Sequence, residues 1–143
     1  MDNSDDLIVA SATATLGESR RHETAVATRG FQLVADEPAE GIEGAGPTPT
    51  EYLLVALASC TAITLRQYAD SKYDYAGDIS VDVRYHEPRA EGSERFLQRT
   101  IRLTQPVPEP DLDVMMDLAE RTPVTLLLKF AWSVRTDFDN PAA

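Results

Sequence analysis

Cysteine is nearly missing from this chain: its 143 residues hold one, Cys60. A single thiol excludes an intrachain disulfide framework. It leaves Cys60 as either small packing or a nucleophile that needs an outside partner. Lysine is scarce too, with Lys72 and Lys129 set against eleven arginines. No Lys/Arg run occurs and the net charge is −11, so the basic patch that phosphate backbones require is absent. Nucleic acid and anionic membrane are therefore not expected partners. Histidine occurs twice, at His22 and His86, with no Cys/His/Asp spacing suited to a metal. Gly44-Ala-Gly46 is neither a GxGxxG turn nor a P-loop. No metal and no cofactor are expected. The longest apolar stretch, Tyr52 to Leu65, includes Ser59, Thr61 and Thr64 and falls short of the roughly 20 residues that span a bilayer. The acidic start, Met1-Asp-Asn-Ser-Asp-Asp6, lacks the basic opening of a signal peptide, so a cytoplasmic location is expected.

What is present suits one globular domain over residues 1–143, with 43% hydrophobic residues. Leu7–Leu16 and Thr24–Val34 carry β-branched and apolar residues in partial alternation and predict two strands joined by a turn around Gly17–Arg21. Residues 35–48 are rich in Pro, Gly and Glu and predict a loop. Thr48 then caps a helix with Pro49 at its first position and Glu51 in its first turn. From Tyr52 to Leu65 that helix is apolar on nearly every face. Ile79, Val81, Val83 and Tyr85 alternate with polar residues, the strict period of two of a half-buried strand. Arg95–Thr104, with Leu97, Ile101 and Leu103 on one face, completes an antiparallel hairpin. Leu112, Met115, Met116 and Ala119 give helical spacing, and Thr122-Pro123 opens a short helix through Leu128. Phe130, Trp132 and Val134 alternate as a last strand would. The order predicts an α+β domain with antiparallel sheet. One sheet covers one face of an all-apolar helix, so the other face calls for a second copy and an obligate homodimer.

Three residue types bear on chemistry. In an apolar helix, Cys60 is most simply packing, since burial raises a thiol's pKa and weakens it as a nucleophile. A functional Cys60 requires a nearby cation; Arg20, Arg21 and Arg29 lie in the first strands and their turn. Glu51 can orient such an arginine through a bidentate pair, or act simply as a helix N-terminal acid.

The stretch Asp36-Glu-Pro38 through Gly46-Pro-Thr-Pro-Thr-Glu-Tyr-Leu-Leu-Val-Ala-Leu-Ala-Ser-Cys60-Thr-Ala resembles the OsmC/Ohr superfamily. In that family a Pro-x-Glu-x-Leu-Leu-x-Ala-Leu-Ala-x-Cys pattern opens the central helix. The resemblance runs over almost the whole chain, with Ala119-Glu-Arg-Thr-Pro-Val124 fitting as well. It implies an OsmC-like fold: antiparallel sheets around a long buried central helix in an intertwined homodimer. It also implies reduction of organic hydroperoxides, with Cys60 at the place of the peroxide-attacking cysteine, and an Arg and a Glu activating it. Arg20 is the nearest match for the Arg by its spacing from Pro38. The family's activating Glu lies ten residues before its Cys, at the position after the pattern's Pro, where this chain has Thr50; Glu51, at the pattern's own Glu, is one step nearer. The family's second Cys precedes a Pro at a helix start, where this chain has Thr122 before Pro123.

The expected protein is thus a one-cysteine, thiol-dependent peroxidase of the stress-defence type. Its partners would be an external thiol reductant and a small hydrophobic peroxide. Cys60 would be the nucleophile, Arg20 the thiolate stabiliser and Glu51 the orienter of Arg20. The alternative from another class is a non-catalytic module that binds a small apolar ligand at the dimer interface.

Overall fold

Helix α1, Pro49–Lys72, starts where its cap chemistry dictates. Thr48 Oγ1 accepts from the Glu51 N–H at 3.2 Å, and Glu51 Oε2 accepts from the Thr48 N–H at 3.3 Å. This reciprocal capping box satisfies two N–H groups that the first turn leaves without helical partners. The computed structural model that shows this describes residues 7–18 and 20–141. The chain forms two compact units, one up to Leu53 and one from Leu54 on.

The first unit carries a three-stranded antiparallel sheet, β1 (Thr13–Thr15), β2 (Thr24–Thr28) and β3 (Phe31–Ala35), in that order. The long second strand expected over Thr24–Val34 is instead a hairpin. Arg29 and Gly30 form its two-residue turn, with φ of 44° and 80°. Two successive left-handed residues are the turn that matches the twist of the flanking strands. The first strand is also shorter than expected. It pairs from Thr13↔Ala27 to Thr15↔Ala25, and β2 turns away just beyond. Leu7, Ile8 and Val9 therefore have no ladder to join and are more than 80% exposed. Of the turn expected at Gly17–Arg21, Ser19 lies outside the described residues.

Asp36 organises the loop that follows by accepting from the N–H groups of Glu37 (2.8 Å) and Ala45 (2.9 Å). Gly46 sits so close to β3 that a Cβ there would stand 2.3 Å from the Val34 carbonyl oxygen.

The second unit is built from the rest of α1, the antiparallel hairpin β4 (Ile79–His86) and β5 (Phe96–Leu103), and helices α2 (Glu109–Ala119) and α3 (Pro123–Lys129). Leu57, Thr61, Leu65 and Ala69 form the buried stripe of α1, at the four-residue spacing that keeps one helix face inward. Val55 and Ile63, on another face, are 57% and 58% exposed. Arg66 ties the end of α1 to the next loop, donating to the carbonyls of Tyr75 (2.9 Å) and Gly77 (2.6 Å).

The strand expected over Phe130–Arg135 does not form. Residues 130–141 after α3 have no regular structure, and Phe130, Trp132 and Val134 are 72%, 68% and 89% exposed. Alternation makes a strand only where a neighbouring edge accepts its backbone groups, and no described strand pairs with this one.

Asp111, in the first turn of α2, accepts from the hydroxyls of Tyr68 (2.8 Å) and Tyr73 (3.5 Å). The hydrogen bond to Asp111, then burial and the carboxylate charge, raise the Tyr68 phenol above its ordinary value. Asp111→Ala is expected to move the Tyr68 ionisation to lower pH, read as phenolate absorbance. A raised folded-state value means that the contact supports the fold below the ordinary phenol pKa and is lost as pH climbs through the higher one. Unchanged titration would remove Asp111 from this role.

Candidate functional site

The inner face of the β4–β5 hairpin sets the geometry of the second unit. Cross-strand pairs share a face, so Ile79, Val81, Val83 and Tyr85 stand with Leu103, Ile101, Arg99 and Leu97. Arg99 is thus a cation on an otherwise apolar face, opposite Val83. Its side chain is only 12% exposed. Removing a guanidinium from water costs several kcal/mol unless its N–H groups find acceptors.

The acceptors come from three helical segments. Arg99 Nη1 donates to Thr61 Oγ1 on α1 (3.0 Å) and to Thr125 Oγ1 on α3 (2.9 Å). Its Nη2 donates to Glu120 just after α2 (3.4 Å). The hydroxyl protons can be assigned by elimination. The Thr61 hydroxyl donates to the Leu57 carbonyl (2.7 Å), and that of Thr125 donates to the Ala119 carbonyl (3.1 Å). Thr122 Oγ1 stands 2.7 Å from Thr125 Oγ1 and also accepts the Thr125 N–H as the N-cap of α3. With the Thr125 proton committed to Ala119, Thr122 must be the donor between the two hydroxyls. Thr61, Thr122 and Thr125 are all buried. A single arginine therefore joins the hairpin, α1 and the α2–α3 corner.

Cys60 is the residue before Thr61 and is half-buried. One helical step turns it about 100° from the Arg99-facing stripe. It shares its side of α1 with half-buried Ala56 and Thr64. Thr122, at the place where the resemblance sets a second cysteine, is 1% exposed and committed to its cap.

Arg20 and Glu51 belong to the first unit. Arg20 forms an ion pair with Glu23 at 3.2 Å, with 62% of its side chain exposed, and lines a hollow with His22, Asp36, Glu37 and Pro38. Glu51 is engaged with the Thr48 N–H. Among the described residues, then, the carboxylate beside Arg20 is Glu23.

Sequence reasoning missed the Arg99 cluster. The signal is present: by the period of two, Arg99 falls on the same face as Leu97, Ile101 and Leu103. Thr61 and Thr125 gave no such signal, because a threonine inside an apolar helix reads as filler.

The protein family described as OsmC-like protein matches residues 42–137. Among solved structures, the chain is similar to an OsmC-like protein from Mycoplasma pneumoniae, with 21% identity, TM-score 0.62, and 85% of this chain and 88% of that one covered. It is also similar to an organic hydroperoxide resistance protein OsmC from Legionella pneumophila, with 19% identity, TM-score 0.61, and 87% and 92% covered. A third is the organic hydroperoxide resistance protein OhrB of Bacillus subtilis, with 17% identity, TM-score 0.57, and 88% and 94% covered. At these identities the likeness establishes the fold. No curated protein matches the chain in sequence.

Proposed function

Since this chain belongs to the OsmC-like protein family, we propose that it reduces organic hydroperoxides at the expense of an external thiol, with Cys60 as the attacking sulfur. The observation that carries this reading is the placing of the only cysteine, half-buried on the helix that the family pattern marks. The fold-level relatives named for organic hydroperoxide resistance support the reaction class.

The chemistry balances as follows. Cys60 thiolate attacks the terminal peroxide oxygen, the O–O bond breaks, and the leaving alkoxide takes a proton to become the alcohol. Cys60 is left as a sulfenic acid. With no second thiol in the chain, an outside thiol attacks the sulfenic sulfur, releasing water and forming a mixed disulfide. A second equivalent frees Cys60 and leaves as disulfide. One hydroperoxide and two thiols thus give one alcohol, one water and one disulfide.

Arg20 is proposed as the thiolate stabiliser. Its exposed pair with Glu23 is of a kind worth about 1 kcal/mol or less, so exchanging partners is inexpensive. Glu51 is proposed as its orienter. Its cap role and its charge role separate cleanly, because glutamine also completes a capping box. Glu51→Gln should leave stability within about 0.5 kcal/mol of wild type by chemical denaturation, while Glu51→Ala should lose about 1 kcal/mol. A fall in hydroperoxide turnover in Glu51→Gln would show the charge at work. Full turnover in that variant would leave Glu51 as a cap alone.

The protein is proposed to act as a cytoplasmic homodimer. Val55 and Ile63 leave one face of α1 apolar and exposed, and Phe130, Trp132 and Val134 are likewise uncovered. Among the described residues no helix is long and apolar enough to cross a membrane. Sedimentation velocity should give a dimer, and Val55→Asp with Ile63→Asp should split it. A wild-type monomer would end this part of the reading.

The decisive assay is consumption of cumene hydroperoxide with dithiothreitol as donor, preceded by thiol-reagent titration. Cys60 should react faster than a free thiol in solution. Reaction no faster than that would defeat the enzyme reading.

A further inference from the structure

A groove of about 560 Å³ in the second unit is lined by the β4–β5 hairpin, by α2 and α3 and by Leu57 of α1. That volume lies in the range of small-molecule sites. Leu57, Phe96, Leu97, Ile101, Met116 and Leu128 make its walls apolar. Its charged lining includes Arg99, Lys129, Glu120 and Arg95, the last paired at the surface with Glu87. Cys60 is not among the lining residues.

The charges do not cancel. Lys129 hydrogen-bonds Glu120 and, with the Arg99 charge, holds its carboxyl below the ordinary value against the opposing effect of burial. Glu120 is thus an anion, shared between two cations, Arg99 and Lys129. One positive charge is left unmatched beside an apolar wall, in a chain whose net charge is −11.

Arg99 also keeps donors in reserve. A guanidinium carries five N–H groups, and three of those of Arg99 are engaged with Thr61, Thr125 and Glu120. Its Nε makes no hydrogen bond among the described residues. Yet no buried side-chain nitrogen or oxygen there lacks a partner, so Nε is not sealed within protein. Nε and the second N–H of Nη2 are the donors left for an incoming carboxylate, beside the one that Glu120 takes.

We propose that this groove binds a small amphipathic carboxylate. Its head accepts from the remaining Arg99 donors, near Lys129, and its apolar tail lies along Leu97, Ile101 and Met116. A second copy of the chain laying an apolar segment there would cover the walls but leave the extra positive charge uncompensated. The site is separate from Cys60 and does not rest on the peroxidase reading.

Isothermal titration of the full chain with decanoate, decanol and acetate tests it. Decanoate should bind saturably, and decanol and acetate should each bind at least about tenfold more weakly, the effect of losing a charged hydrogen-bonding head or an apolar tail. Met116→Glu changes a wall residue that is 59% exposed. It should weaken decanoate by about tenfold or more, through like charge and lost apolar contact, with an unchanged melting temperature. Cys60→Ser should bind decanoate as wild type does, which separates this site from the thiol chemistry. Three results would overturn the proposal: no saturable decanoate binding up to about 1 mM, decanol binding as tightly as decanoate, or decanoate affinity untouched in Met116→Glu. Loss of self-association in Met116→Glu would likewise overturn it, by making a second copy the occupant.

Discussion

Cys60→Ser is expected to stop hydroperoxide consumption, with a loss of at least about a thousandfold, equivalent to some 4 kcal/mol of barrier. The size follows from the chemistry of one atom. A thiolate is a strong, polarisable nucleophile toward oxygen, and a serine hydroxyl at neutral pH is almost wholly protonated. No other residue can take over, because the chain has no other thiol. The substitution removes no known hydrogen bond and changes little volume, so folding should be preserved and the loss should read as chemistry. The measurement is the rate of cumene hydroperoxide loss with dithiothreitol, beside a circular dichroism melt. A companion result is expected when peroxide is supplied without a thiol donor. The sulfenic acid then has nothing within the chain to condense with, and mass spectrometry should find Cys60 advancing to sulfinic acid. Equal rates in wild type and Cys60→Ser would place the chemistry elsewhere or nowhere.

Thr125→Val is the second large effect expected, this time on stability. The substitution keeps the shape of the side chain and deletes its hydroxyl. That hydroxyl accepts from Arg99 and Thr122 and donates to the Ala119 carbonyl. Valine would leave a charged donor, a hydroxyl donor and a carbonyl short of partners in a site where Thr122 and Thr125 are buried. Each orphaned buried group costs about 1–3 kcal/mol, and partial exposure of Arg99 softens its share, so a loss of about 3 kcal/mol is expected. Arg99→Met should cost less than Thr125→Val. It removes the cation that demands the acceptors and replaces it with a flexible apolar chain on an apolar face. Chemical denaturation of both variants decides the matter. If Thr125→Val falls within 0.5 kcal/mol of wild type, roughly the scatter of surface changes, the threonine cluster does not hold the unit together.

What the sequence disclosed and what it hid divide along a physical line. The β4–β5 hairpin was legible because β4 alternates apolar and polar at every step, and β5 follows the same period apart from Phe96 and Arg99. The start of α1 was legible because Thr48, Pro49 and Glu51 each serve a local cap. Local rules, acting over three or four residues, could be read directly. The Arg29–Gly30 turn was also local but was passed over, since arginine rarely opens a left-handed turn. The segment from Phe130 to Arg135 was misread for a different reason. Its alternation is real, but a strand also needs an edge to pair with, and that partner is no property of the segment itself. Cys60, the proposed attacking sulfur, is marked by the family pattern alone. Arg99 is hard to see in sequence, because one charge does not disturb the period of two and its acceptors Thr61, Glu120 and Thr125 lie far from it along the chain.

The arrangement around Arg99 has a consequence for solution conditions. Two of its three side-chain acceptors are neutral hydroxyls, and neither protonates in acid nor attracts competing ions. Ordinary surface ion pairs weaken in brine, and carboxylates stop pairing once they take up protons. A clasp made largely of alcohol groups escapes both fates. This half of the molecule should therefore keep its internal fastening in concentrated salt and at mildly acidic pH, while the charge pairs on its surface come undone.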